Sequence, residues 1–177
     1  MAYNGVLMRT GHDGGGVLRR GSTAAACVAS LALVTGCSFF VSTGPERDAD
    51  GAVTAEAETD ASSIRVGDCI DDPGSKSVSD ITVLPCDEPH VFEAFASTDM
   101  PDGDYPGGGA ATTAASDFCA KEFTAFIGVD FDASVLEMLY FYPVEESWTT
   151  ADDREILCFV AEQAESPMTG TLEDAGR

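Results

Sequence analysis

The feature that most constrains the fold is a set of four cysteines after the first 40 residues, Cys69, Cys86, Cys119 and Cys158. An even number of cysteines in an oxidising compartment predicts two disulfides, and four cysteines allow three pairings. A zinc site is the rival interpretation. No two of the four have the C-x-x-C spacing, however, and His90 is the only histidine in this part of the chain. We therefore expect disulfides if the chain is exported.

The N-terminal stretch predicts export. Arg19 and Arg20 precede an uncharged run of 12 residues over Thr23–Val34, which fits the h-region of a signal peptide and is too short to span a membrane. The run leads into Leu33-Val34-Thr35-Gly36-Cys37, which resembles the bacterial lipobox, whose cysteine receives diacylglycerol. We expect a signal peptide over residues 1–36, membrane attachment through a lipid on Cys37, and a location at the outer face of the cytoplasmic membrane.

The charge of the remaining chain excludes one class of partner. After Cys37 there are 30 acidic and six basic residues, so the net charge there is 6 − 30 = −24. A surface of this sign repels phosphate backbones, so nucleic-acid binding is not expected. The same charge favours a basic partner, which would be a protein or a cell-wall component.

Composition divides the exported part into three segments. Residues 37–63 comprise the predicted lipidated cysteine and an acidic stretch in which Val53 is the only larger aliphatic residue between Ser42 and Ser63. Such a stretch buries too little apolar surface to offset chain entropy, so we expect a disordered linker. A folded domain is predicted over residues 64–165, and a loose tail over residues 166–177.

Within the domain, apolar patterning predicts five strands and one helix. The helix is expected over Ala110–Ile127, where apolar residues recur at helical spacing before Gly128. Val135–Tyr142 is apolar on nearly both faces, which is typical of a central strand. The remaining strands are predicted at Ile64–Ile70, Asp80–Cys86, Val91–Thr98 and Glu155–Ala161. This order predicts an α+β fold, a small antiparallel sheet with one packed helix and two disulfides.

Of the three possible pairings, we predict Cys69–Cys86 and Cys119–Cys158. The first would staple two neighbouring strands across the turn at Asp71-Asp72-Pro73-Gly74. The second would clamp the helix onto the last strand. In each case, the first cysteine lies in or before an element that can return to the second.

Several motifs together resemble the septum-formation domain family of actinobacteria. They are Val66-Gly67-Asp68-Cys69, Leu84-Pro85-Cys86 with Pro89-His90, Tyr105-Pro106-Gly107, Cys119 with Phe123 and Gly128, Pro143 with Trp148, and Asp153-Arg154 leading to Cys158. One position departs from the family pattern, because Asp152 stands where glycine is expected. The resemblance implies a membrane-anchored module outside the cytoplasm that is linked to cell division. It implies no catalytic residues.

Three residues are candidates for a binding face: His90, Trp148 and Arg154. An indole can anchor a partner as well as a core, and Arg154 is one of few cations, expected to pair with a carboxylate such as Asp68 or Asp153. A structural role for His90 is the alternative to binding. The alternative function is a cell-wall-modifying hydrolase that uses His90 or paired carboxylates, although the sequence has no G-x-S-x-G motif. No cofactor and no metal are expected.

Overall fold

A computed structural model describes residues 44–74 and 80–177, so the predicted signal peptide and the lipidation site at Cys37 lie outside the described residues. The strands of this part are β1 (Ala57–Thr59), β2 (Cys69–Ile70), β3 (Ile81–Leu84), β4 (Phe92–Asp99), β5 (Glu137–Phe141) and β6 (Glu155–Ala161). The helices are α1 (Gly108–Ile127) and α2 (Glu145–Thr150). Short 3₁₀ turns cover Ala61–Ser63, Phe131–Ala133 and Gln163–Glu165.

The strands form one antiparallel sheet in the order β1-β3-β2-β4-β6-β5. Its longest ladder joins β4 to β6, from Phe92 opposite Ala161 to Asp99 opposite Glu155. The predicted α+β fold, an antiparallel sheet with one main packed helix, is confirmed. The sequence did not predict β1, which adds a strand at one edge.

Both faces of the sheet are covered, as the alternation along β6 shows. Cys158 and Val160 belong to the apolar cluster on the side of α1. Leu157 and Phe159 belong to the cluster on the opposite side, which includes Val53 from the N-terminal segment. Because successive side chains of a strand point to opposite faces, a strand buried on both sides must be apolar throughout.

Helix α1 packs on the sheet through one stripe of buried residues at every fourth position: Ala111, Ala115, Cys119, Phe123 and Ile127. This spacing places all five on one face of the helix. Gly128 ends the helix in a left-handed conformation, with φ of 91°, and its N–H donates to the carbonyl of Thr124. A residue without a Cβ adopts this conformation at little cost.

Both predicted disulfides are confirmed, Cys69–Cys86 and Cys119–Cys158. The first joins β2 to the turn after β3, and the second joins α1 to β6. Their sequence separations are 17 and 39 residues. In the chain-entropy account, closures of this length stabilise the fold by about 3 and 4 kcal/mol respectively. The second therefore fixes the helix against the sheet in a way that local contacts alone would not.

The segment predicted as a disordered linker is ordered from residue 44 onward. Arg47 forms an isolated antiparallel bridge with Val53, and β1 pairs with β3. Val53, the only larger aliphatic residue of the stretch, is buried in the cluster opposite α1. The prediction failed because the stretch does not form a core of its own but completes one made by distant strands.

The C-terminal segment is also ordered, contrary to the predicted loose tail. Met168 pairs with His90 in an antiparallel bridge. Leu172 is only 4% exposed and joins the cluster beneath α1. Near the end of the segment, the N–H of Asp174 donates to the carbonyl of Phe126 in the last turn of α1. The domain therefore extends past residue 165.

A further correction concerns β5, whose apolar sequence indicated a central strand. It lies at the outer edge of the sheet, beyond β6, and all five of its residues are half-buried.

Among residues 44–74 and 80–177, no helix is both long enough and apolar enough to cross a membrane.

Candidate binding site

Trp148 and Arg154, two of the three predicted binding residues, form one stacked pair. Trp148 lies in α2, and only 4% of it is exposed. Its indole N–H donates to the carbonyl of Gly103 at 2.9 Å. The guanidinium carbon of Arg154 lies 3.8 Å from the indole centroid, a cation–π contact worth about 0.5–2 kcal/mol. The indole is therefore a buried platform that positions the cation.

The guanidinium of Arg154 donates hydrogen bonds to three oxygen acceptors. Its guanidinium donates to the carbonyls of Trp148 and Asp153, at 3.1 and 2.8 Å, and to a carboxylate oxygen of Asp152 at 2.8 Å. Its Nε is buried without a hydrogen bond and lies 3.8 Å from a carboxylate oxygen of Asp102. With 14% of its side chain exposed, Arg154 organises the loop and presents little of its own charge.

An open depression of about 570 Å³ includes Arg154 in its lining, which is formed by residues 99–102 and 152–155. Five of the lining residues are acidic: Asp99, Asp102, Asp152, Asp153 and Glu155. Burial raises the pKa of Glu155, and the nearby charges of Asp99 and Asp153 raise it further. A raised pKa of a carboxyl means that its negative charge is disfavoured there. The depression therefore carries more negative charge than Arg154 neutralises.

The chemistry of this depression is electrostatic. In the described residues there is no group of three or more His, Cys, Asp or Glu side chains that could hold a metal ion. Asp99 and Asp102 are exposed, so they can accept hydrogen bonds from an incoming cation. An ammonium or guanidinium group would relieve the repulsion that raises the pKa of Glu155.

His90 lies elsewhere. It precedes β4 at the end where Phe92 pairs with Ala161, whereas Arg154 precedes β6 at the other end of the same ladder. Only 1% of His90 is exposed, and its ring hydrogen bond joins Nδ1 to the carbonyl of Glu88 at 2.8 Å. The structure does not bring His90 together with Trp148 and Arg154, and so buried a ring cannot form part of a binding face.

The comparison with protein families finds a match over most of the described domain. Residues 66–176 match the family described as septum formation, well over half of the chain. The chain belongs to the septum formation family. No curated protein and no solved structure matches the chain significantly.

The septum formation match supports one of the structural corrections. It extends to residue 176, so the C-terminal segment that packs beneath α1 is part of the family domain. It also includes Asp152, where the family pattern led us to expect glycine. Asp152 has φ of 54°, in the left-handed region. Aspartate adopts this conformation more readily than most side chains, and its carboxylate is then in reach of Arg154.

Sequence reasoning missed the ion pair between Arg47 and Asp68, since it offered Asp68 or Asp153 as the carboxylate partner of Arg154, whose carboxylate partner is Asp152. Two guanidinium nitrogens of Arg47 bind the two carboxylate oxygens of Asp68 at 2.5 and 2.7 Å. The hydrogen bonds that Arg47 donates to Asp68 raise the pKa of Arg47 more than burial lowers it. The available signal was Asp68 itself, a carboxylate beside a buried strand that needed one of the few cations.

A second missed feature is Glu93, which lies within β4 and is buried. One of its carboxylate oxygens accepts a hydrogen bond from the Thr171 hydroxyl at 2.6 Å, and the other accepts from the Leu172 N–H at 2.7 Å. The C-terminal segment thus satisfies a charge that the sheet buries. A glutamate inside an apolar strand was the available signal, because a buried carboxylate requires donors.

Proposed function

We propose that this septum formation protein is a membrane-anchored module outside the cytoplasm that binds a basic partner and acts as a scaffold, not as an enzyme. The partner would be a protein or a cell-wall component with exposed Lys or Arg residues. Attachment would be through the lipid on Cys37. In septum formation, the role of the protein would be to hold a partner near the membrane.

The acidic depression beside Trp148 and Arg154 carries the proposal. Two of its five carboxylates are held by hydrogen bonds, because Asp152 binds Arg154 and a carboxylate oxygen of Asp153 accepts from the N–H of Glu155. A preorganised group loses less conformational freedom on binding than a mobile one. Asp99 and Asp102 remain exposed at the rim, where they are available to a basic partner.

Two further observations support a location outside the cytoplasm. Disulfides form and persist in oxidising compartments, and this chain has two. The motif at Leu33–Cys37 has the residues that lipid attachment requires. Only six basic residues follow Cys37, so attraction to anionic lipid is weak there and a covalent lipid would have to supply the anchoring.

The test neutralises the rim of the depression. In intact cells that express the full-length protein, crosslinked partners are recovered with wild type and with Asp99→Asn plus Asp102→Asn. The loss of two exposed charges should weaken recovery about three- to tenfold at low salt, and the difference should shrink as salt screens the charges.

The matched control is Asp87→Asn plus Glu88→Gln, which removes two exposed carboxylates from the turn before β4, at the other end of that strand. It has the same net charge as the test variant, so it should retain recovery if position matters. Equal loss of partner recovery in both variants would mean that net charge, and not the position of the carboxylates, controls binding. Unchanged recovery in the test variant would place binding elsewhere and overturn the proposal.

A further inference from the structure

Among the described residues, no strand pairs with the outer edge of β5. β6 pairs with one side of β5 along its whole length, from Glu137 opposite Ala161 to Phe141 opposite Leu157. On the other side, no hydrogen bond joins the β5 backbone to any residue in 44–74 or 80–177. Alternate N–H and C=O groups of an edge strand point away from the sheet. They are therefore available to another strand.

β5 lacks the devices that usually block a sheet edge, which are proline, lysine, a bulge or very short length. Residues 137–141 read Glu-Met-Leu-Tyr-Phe, and their register with β6 is unbroken. The opposite edge differs, because β1 has only three residues and its central residue, Glu58, is exposed. Of the two edges, β5 is the one suited to pairing.

The side chains of β5 leave apolar surface on both faces of the sheet. Leu139 and Phe141 pack against the cluster opposite α1, whereas Met138 and Tyr140 pack against the cluster on the α1 side. All four are only half-buried. A further strand would cover the exposed part of these side chains on both faces. Its own residues should therefore be apolar on at least one face, and can be apolar or polar on the other.

The acidic residues around β5 indicate which kind of segment can pair with its outer edge. Between residues 130 and 146 there are five acidic residues and no Lys or Arg. Four of them flank β5 and are exposed, Asp130 and Asp132 before the strand and Glu145 and Glu146 after it. A second copy of the chain would bring the same acids against one another, on top of a net charge of −22. A segment with basic residues at its ends would be attracted instead.

We propose that the outer edge of β5 receives an extended segment of a partner protein, which adds a strand to the sheet. The segment has alternating apolar residues in its centre and Lys or Arg on either side. Main-chain hydrogen bonds give the affinity in this mode, and the flanking charges give the selectivity. This surface goes beyond the acidic depression, since each can be removed without altering the other.

The test uses a synthetic peptide probe with the full-length protein in detergent micelles. The probe has five alternating valines and threonines with two lysines at each end. Hydrogen–deuterium exchange should slow about tenfold or more at the outward amides of β5 when the probe is added. A matched peptide with a central proline cannot pair and should give no protection, and a peptide flanked by glutamates should bind about tenfold more weakly.

Protection that is absent, or that maps outside β5, would overturn the proposal, as would equal binding of the proline peptide. Sedimentation of the free protein is the second measurement. A dimer whose β5 amides are already protected would show that a second copy occupies the edge, which also overturns it.

Two variants test the edge from the protein side, Leu139→Pro and Tyr140→Pro. Because adjacent N–H groups point in opposite directions, one variant removes a bond to β6 and the other removes an outward donor. The variant that keeps its thermal midpoint should lose probe binding about tenfold, and retained binding there contradicts the proposal. If both unfold, exchange of the wild type with the matched peptides decides.

The depression variant Asp99→Asn plus Asp102→Asn should leave probe binding at β5 unchanged. Failure of the peptide tests with salt-sensitive partner recovery intact would reject the edge and keep the proposed function. The reverse result would reject the depression and keep the edge.

Discussion

At the scale of single residues, the few cations of the described chain hold the acidic domain together. Arg47 neutralises Asp68, which is only 2% exposed, and also donates to the carbonyls of Gly51 and Ser63. Arg154 stacks on the indole of Trp148 and binds Asp152 in its own loop. The Arg47 guanidinium joins segments 16–21 residues apart through several directional bonds, which a lysine ammonium could not reproduce in the same planar geometry.

The variant Arg47→Ala should destabilise the domain by about 2–3 kcal/mol. It leaves the buried carboxylate of Asp68 with only its hydrogen bond from the Arg65 N–H, and removing one partner of a buried pair costs more than the pair contributes. Urea unfolding measures the effect.

The matched control is Arg65→Ala, which removes the same charge from an exposed side chain and should change the free energy of unfolding by less than about 0.5 kcal/mol. If both variants unfold at the same urea concentration, the Arg47–Asp68 pair does not stabilise the fold.

At the scale of elements, two segments without extensive secondary structure complete the core. The N-terminal segment inserts Val53 beside the sheet face opposite α1, and the C-terminal segment inserts Leu172 on the α1 side. Each segment also brings hydrogen-bond donors to a buried carboxylate, Arg47 to Asp68 and Thr171 to Glu93. Docking of the two segments therefore stabilises the sheet.

The variant Leu172→Ala should lower the free energy of unfolding by about 2–4 kcal/mol, the usual cost of a cavity left by a buried leucine. The neighbouring Glu173→Ala is the control, since Glu173 is exposed and should cost less than about 0.5 kcal/mol. Chemical denaturation of both variants measures the difference. A change for Leu172→Ala as small as that of its control would mean that the segment is not docked in solution.

At the scale of the whole molecule, the ordered N-terminal segment would shorten the connection to a lipid anchor at Cys37. The predicted linker ran to Ser63, but the described domain already includes Arg47. A lipid on Cys37 would leave nine residues between the anchor and Arg47, and the ten steps from residue 37 to 47 span at most about 35 Å when fully extended. A partner held by this domain would therefore stay close to the membrane surface, where short tethers raise effective concentration.

The lipid anchor itself is tested with Cys37→Ala. Metabolic labelling with an alkyne fatty acid should mark the wild-type protein and leave the variant unlabelled, because the thiol is the only acceptor that the lipobox provides. The variant should also shift away from the membrane fraction, since each buried methylene of the lipid contributes about 0.8 kcal/mol to anchoring. Equal labelling of both proteins would contradict lipidation at this residue.

The sequence by itself determined the elements whose signals are local. Helix α1 was predicted because its apolar residues recur every fourth position and Gly128 ends it. The strands β3, β4 and β6 were predicted from β-prone apolar runs, and the disulfide partners followed from the order of these elements. The family motifs also identified position 152 as one suited to glycine, and its backbone is left-handed.

Only the tertiary structure decided what covers each apolar surface. A central strand and an edge strand can have the same apolar sequence. The sequence therefore could not place β5 at the edge of the sheet. Val53 and Leu172 seemed too isolated to order their segments, because the cores they enter are built by strands far away in sequence. His90 is also buried, and its backbone pairs with Met168, in the segment that the sequence predicted to be a loose tail. Burial depends on the sum of contacts from all directions, and a pattern along one chain records only its own contribution.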